Sequence, residues 1–154
     1  MSRIEARLAE LSLTLPEAST PVANYIPFTL SGRTLYVSGQ IPRQGGAIWP
    51  VGRCGEDVSL EDAQEAARLC FLAILAHART AAGGDLDGIA RVLRITGYVA
   101  SAPGFGDQPQ VINGASDCAV EVVGDAGRHA RSAIGVAALP GGAAVEVEAI
   151  LELR

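Results

Sequence analysis

The chain has 154 residues, enough for one domain with a core of its own. Hydrophobic residues make up 49% and charged ones 19%, which excludes a disordered chain, and the formal charge of −5 is a poor match for a nucleic-acid backbone. No apolar run reaches the roughly 20 residues a membrane helix needs. Its opening segment, MSRIEARLAELSL, is charged and amphipathic rather than a basic stretch before an apolar block, so the expected setting is the cytoplasm, with no membrane attachment.

Residues 2–12 predict a short helix, with Ile4, Leu8 and Leu11 at helical spacing. Pro16 and Pro21 then hold the chain extended, so residues 1–20 read as an extension ahead of a single domain over 21–154. Ile26–Leu30 and Thr34–Ser38 flank Ser31-Gly32-Arg33 as a hairpin, and Gly39–Glu56 reads as a loop. Ser59 is a candidate N-cap with an acid three residues on. It opens a helix in which Ala63, Ala66, Ala67, Cys70, Ile74 and His77 recur at spacings of three and four, ending near Gly83-Gly84. Arg91–Ala100 alternates as a strand, Ser101–Gln108 is a loop, and Pro109 opens a second helix to Val123. Ser132–Ala138 and Ala144–Leu153 predict a closing hairpin turned at Leu139-Pro140-Gly141-Gly142. The order implies an α+β fold: one mixed sheet, two helices on one face, and a short N-terminal helix.

Alternation assigns faces. Val145, Val147, Ala149, Leu151 and Leu153 share one side of the last strand; Glu146, Glu148, Ile150 and Glu152 share the other. Leu93, Ile95 and Val99 point one way in the middle strand, and Arg94, Thr96 and Tyr98 the other. The polar side fits a solvated face. The uncharged run Ser132–Ala138 beside it favours packing against a second copy of the chain instead.

Residue types narrow the chemistry. All 12 basic residues are arginine, which excludes a Schiff-base lysine and a Walker A loop and makes every cationic site a guanidinium. Cys54, Cys70 and Cys118 share no CxxC spacing, and His77 and His129 form no HxxxH or HxH pair, so neither a disulfide framework nor a metal site is indicated. His77 reads as structural, and Cys118 as core rather than nucleophile. Gly104-Phe105-Gly106 lacks the third glycine of a dinucleotide loop. His129 sits in Gly127-Arg128-His129-Ala130-Arg131, which fits a solvated loop and an anion site equally well. Glu146 and Glu148 read first as solvated strand charges. Burial of one in an assembly would raise its pKa toward neutrality, as a general acid/base needs, and an arginine on an adjacent strand would complete a device for a small carboxylate.

Five segments occur in an order that resembles the Rid (YjgF-like) family of reactive-intermediate deaminases, also known as endoribonuclease L-PSP proteins. They are Tyr36-Val37-Ser38-Gly39-Gln40-Ile41-Pro42, Val111-Ile112-Asn113, Ala130-Arg131-Ser132-Ala133, Leu139-Pro140 and Val145-Glu146-Val147-Glu148-Ala149-Ile150. The resemblance runs from about Asn24 to the C-terminus, and the N-terminal extension and the long Ser101–Gln110 loop point to a larger-subunit branch. It implies a chorismate-mutase-like fold and a homotrimer with clefts between subunits. It further implies hydrolysis of enamine or imine intermediates such as 2-aminoacrylate and 2-iminopropionate to 2-keto acids and ammonia. By position, Arg131 would grip the substrate carboxylate and Glu146 would orient water or carry its proton. The carbonyl of Ala133 would accept from the imine nitrogen, and Tyr25, Ser38 and Asn113 would line the cleft. Such a reaction needs positioning and one proton relay, with no metal, cofactor or covalent nucleophile. The competing readings are a non-catalytic trimer that binds small carboxylates, and RNA cleavage, which the acidic charge disfavours. The deaminase reading requires Arg131 and Glu146 to meet in one pocket at a subunit boundary.

Overall fold

The computed structural model describes residues 2–20 and 24–154; Pro21, part of the expected linker, lies outside them. Helix α1 (Arg3–Glu10) starts from Ser2, whose hydroxyl accepts from the Glu5 N–H while the Glu5 carboxylate accepts from the Ser2 N–H. This reciprocal cap satisfies donors that a helix of eight residues otherwise exposes. The Asp87 carboxylate accepts from the Arg3 and Ile4 N–H groups, and Ile4 and Leu8 enter the same core as the rest of the chain. Burying that pair contributes roughly 1.5–3 kcal/mol per side chain, which offsets the poor intrinsic stability of so short a helix.

Strands β1 (Phe28–Ser31) and β2 (Thr34–Gln40) form the expected hairpin, with Gly32 at φ 59° in its turn. The predicted loop over 39–56 contains a small ribbon, β3 (Arg43–Gln44) with β4 (Ala47–Ile48). Helix α2 (Leu60–Ala81) is capped by Ser59, which accepts from the Asp62 N–H, and the whole line from Ala63 to His77 is buried. Strand β5 (Ile89–Ala100), helix α3 (Gln108–Val123), strand β6 (Ala130–Val136) and strand β7 (Val145–Leu153) complete the fold.

The sheet runs β1-β2-β7-β5-β6, with β5 and β6 parallel and the other neighbours antiparallel. This corrects the closing hairpin. β6 and β7 are not neighbours, because β5–α3–β6 is a strand–helix–strand crossover that brings β6 back parallel to β5, while β7 inserts between β5 and β2. The turn at Pro140–Gly142 is present, with Gly141 at φ 64°, but a local reversal does not choose the strand's partner. A second correction concerns the middle strand. Irregularities in the β5–β7 register flank Ala90 and Leu93, so Val92 takes the core position expected for Leu93, which is only half-buried.

Helices α2 and α3 lie on one face, over the buried side of β7 and beside β2, β5 and β6. The other face carries Tyr36, Arg94, Thr96, Tyr98, Glu146, Glu148 and Ile150, with Tyr36 46% exposed. Among the described residues, no helix is long and apolar enough to cross a membrane.

Candidate active site

Arg131 lies on β6 beside Ile95, a core residue, and so points to the helical side of the sheet. There Nη1 donates to Oδ1 of Asn113 at 2.7 Å and to Oγ of Ser116 at 3.2 Å. Asn113 and Ser116 are three apart on α3 and therefore share a helix face. The guanidinium makes no salt bridge among the described residues. Both of its hydrogen bonds leave from Nη1, so the Nε and Nη2 donors remain for a planar anion. Ala133 follows two residues along the same face. Since the Val136 carbonyl points inward to the Ser101 N–H, alternation along β6 sends the Ala133 carbonyl to the open edge of the sheet.

Glu146 stands near the start of β7 beside Tyr98, on the face without helices. Its half-buried carboxyl group lies against Gly39, where a β-carbon would overlap Oε1 and stand 2.9 Å from Cδ. Burial raises its pKa above the ordinary carboxylate value, and the neighbouring Glu148 charge pushes the same way. The two acids differ in their partners: Glu148 accepts from the Tyr98 hydroxyl at 3.0 Å, whereas Glu146 accepts no hydrogen bond from a described side chain. The Ser38 hydroxyl donates to the Ile26 carbonyl at 3.1 Å and the Ser38 N–H to Pro27 at 2.9 Å, fixing the segment next to Tyr25. Tyr25 and Gly39 line a cavity of about 380 Å³ bounded by α2 and residues 14–20.

The predicted residues thus form two groups. Arg131, Asn113 and Ala133 cluster at the β6–α3 edge; Tyr25, Ser38 and Glu146 cluster around the end of β2. Ile95 and Tyr98 are three residues apart on β5, so Arg131 and Glu146 face opposite sides of the sheet within one chain. The arginine expected on a strand adjacent to Glu146 is one strand further away, because β5 intervenes. Sequence reasoning passed over Ser116, Gly39 and the contacts of His129. Their signals were present: Ser116 is one helical turn from Asn113, and His129 is two residues before Arg131. The three cysteines are buried, Cys54 and Cys118 with thiol pKa values pushed up to about 11 and about 12 by burial, and the Cys70 thiol raised by burial and then by the nearby Glu146 charge.

A family model described as "YjgF/chorismate mutase-like, putative endoribonuclease" matches residues 5–152. The curated "Protein TCP17" of Trypanosoma cruzi is 44% identical over 153 residues, covering 99% of this chain and 95% of that one. A solved protein of unknown function from Agrobacterium tumefaciens is 52% identical with a TM-score of 0.92, over 98% of this chain and 92% of that chain. A "putative endoribonuclease" from Shewanella oneidensis is 31% identical with a TM-score of 0.93, over 97% and 99% of the two chains.

Proposed function

The chain belongs to the YjgF/chorismate mutase-like family, and on that premise we propose that it is a cytoplasmic deaminase. Its substrates are small enamines and imines resembling 2-aminoacrylate and 2-iminopropionate, hydrolysed to 2-keto acids and ammonia in clefts between the subunits of a homotrimer. The observation that carries this reading is the Arg131 guanidinium, tied to α3 through Nη1 alone and without a carboxylate partner among the described residues. In an acidic protein such a group is an anion site waiting for a planar acid.

The chemistry follows from the two clusters. The substrate carboxylate pairs with Arg131, which places the C=N carbon at a fixed distance from the β6 edge. The outward carbonyl of Ala133 accepts from the imine N–H. Once an enamine has moved a proton from nitrogen to its methylene carbon to become the imine, water adds to the C=N carbon as one of its protons passes through the Glu146 carboxylate to the nitrogen. The new hydroxyl group then yields its proton by the same route to the departing amine, and the C–N bond breaks to leave the keto acid and ammonia. A carboxyl group with a raised pKa exchanges protons near neutrality more readily than an ordinary one. Because Arg131 and Glu146 face opposite sides of one sheet, the site joins the β6–α3 edge of one copy to the β2–β7 end of the next. A head-to-tail interface of this kind closes into a ring.

Assays that generate 2-aminoacrylate in situ test this directly. Arg131→Met and Glu146→Gln each abolish the acceleration of keto-acid release, while a mixture of the two variants regains about a quarter of wild-type activity once subunits exchange, since only mixed interfaces carry both groups. Activity that survives in Glu146→Gln refutes the proton role, and no recovery on mixing refutes the shared cleft.

A further inference from the structure

His129 plays no part in the reaction scheme above, yet one hydroxyl group connects it to Arg131. Its Nδ1 lies 2.6 Å from the carbonyl oxygen of Gly127 and its Nε2 lies 2.9 Å from Oγ of Ser116, the same oxygen that accepts from Nη1 of Arg131 at 3.2 Å. A carbonyl can only accept, so the network assigns the proton to Nδ1. In the neutral ring Nε2 then holds a lone pair and takes the Ser116 hydroxyl hydrogen, which turns the oxygen lone pairs toward the guanidinium. The acceptor is itself fixed. A β-carbon at Gly127 would stand 2.6 Å from the carbonyl carbon of Ala119 and 2.9 Å from the Val120 nitrogen, so this turn is seated on the backbone of α3. Turn, ring, hydroxyl and guanidinium therefore form one chain of contacts that begins and ends on α3.

We propose that His129 is a positioning residue for Arg131: by orienting the Ser116 hydroxyl it fixes the Nη1 edge of the guanidinium and so aims Nε and Nη2 at the substrate carboxylate. This deepens the proposed carboxylate site and rests on it. Both anchors are needed because a guanidinium held at Asn113 alone can swing about that contact, and a bidentate pair loses its second hydrogen bond when the plane tilts.

The test uses the intact protein, with 2-aminoacrylate turnover and equilibrium binding of pyruvate as a stable keto-acid probe. His129→Ala and Ser116→Ala each raise KM and the pyruvate Kd by about five- to tenfold, as loss of one supporting hydrogen bond predicts, with kcat changed by less than about twofold. His129→Gln, which restores an acceptor near Nε2, recovers part of the loss. In a Ser116→Ala background, where Arg131 keeps its Asn113 contact, His129→Ala adds nothing, and nitrogen-15 NMR of the wild type finds the Nδ1–H tautomer. Additive losses, an Nε2–H tautomer, or unchanged KM in both single variants overturns the inference. Should His129→Ala fail to fold, Ser116→Ala decides alone. Turnover that needs Arg131 but ignores His129 and Ser116 defeats only the positioning role; a wild type that neither turns over 2-aminoacrylate nor binds pyruvate defeats the carboxylate site and this inference together.

Discussion

Gly39→Ala separates the chemistry from the fold with a single methyl group. The added β-carbon would overlap Oε1 of Glu146 and lie 2.9 Å from its Cδ, whereas relaxed carbon–carbon contacts begin near ~3.5 Å. The carboxyl group therefore has to retreat by about 0.6 Å or more at its carbon and further at its oxygen. A displacement approaching 1 Å in a reacting group costs about 10²-fold in rate, equivalent to about 2.7 kcal/mol of barrier. The fold loses nothing comparable. Gly39 is not among the residues at positive φ, and the group that must move is the end of a flexible side chain. Replacing glycine at such a position stabilises by roughly 0.4–1 kcal/mol through the unfolded chain. The expected outcome is kcat/KM for 2-aminoacrylate reduced about a hundredfold with a melting temperature unchanged or slightly raised. Wild-type turnover in the folded variant refutes the argument that the carboxyl group works from its position against Gly39. A large drop in melting temperature refutes the claim that Glu146 is free to yield.

Three further outcomes follow from the same contacts. In the proposed reaction Glu146 takes a proton from water and so has to be ionised, and activity is expected to fall as pH drops through its raised pKa; Glu148→Gln removes the like charge and moves that acid limb to lower pH, and a limb that stays or moves up contradicts the assignment. His77 is buried beside Ser19 with its pKa lowered by desolvation, so the unfolded chain binds a proton below about pH 6.5 that the folded one refuses. Stability is then complete above that pH and declines below it, and His77→Gln flattens the decline in a melting-temperature series. Cys54, Cys70 and Cys118 resist a thiol-reactive dye in the native protein and react in denaturant, because burial raises all three thiol pKa values; rapid native labelling of any of them contradicts their burial.

Most of the local architecture is legible in the amino-acid order. Ser59 caps a helix where a hydroxyl residue precedes an acid, the Ala63–His77 line is buried as its spacing requires, and β7 alternates without a fault from Val145 to Leu153. These are properties of a few neighbouring residues, and periodicity reports them directly. The family was equally readable, because short segments in a fixed order carry the resemblance that the family model over residues 5–152 matches. What chain order leaves open is which distant segments pair. Leu139–Gly142 signals a reversal, yet only packing puts β5 between the strands it connects. The irregularities in β5 arise from pairing with β7, so Leu93 gives its core place to Val92 by an effect no window of residues contains. The same non-local choice sends Arg131 to α3 and Glu146 to the opposite face, because neighbouring strands share one pleat and their registers decide which side each residue takes.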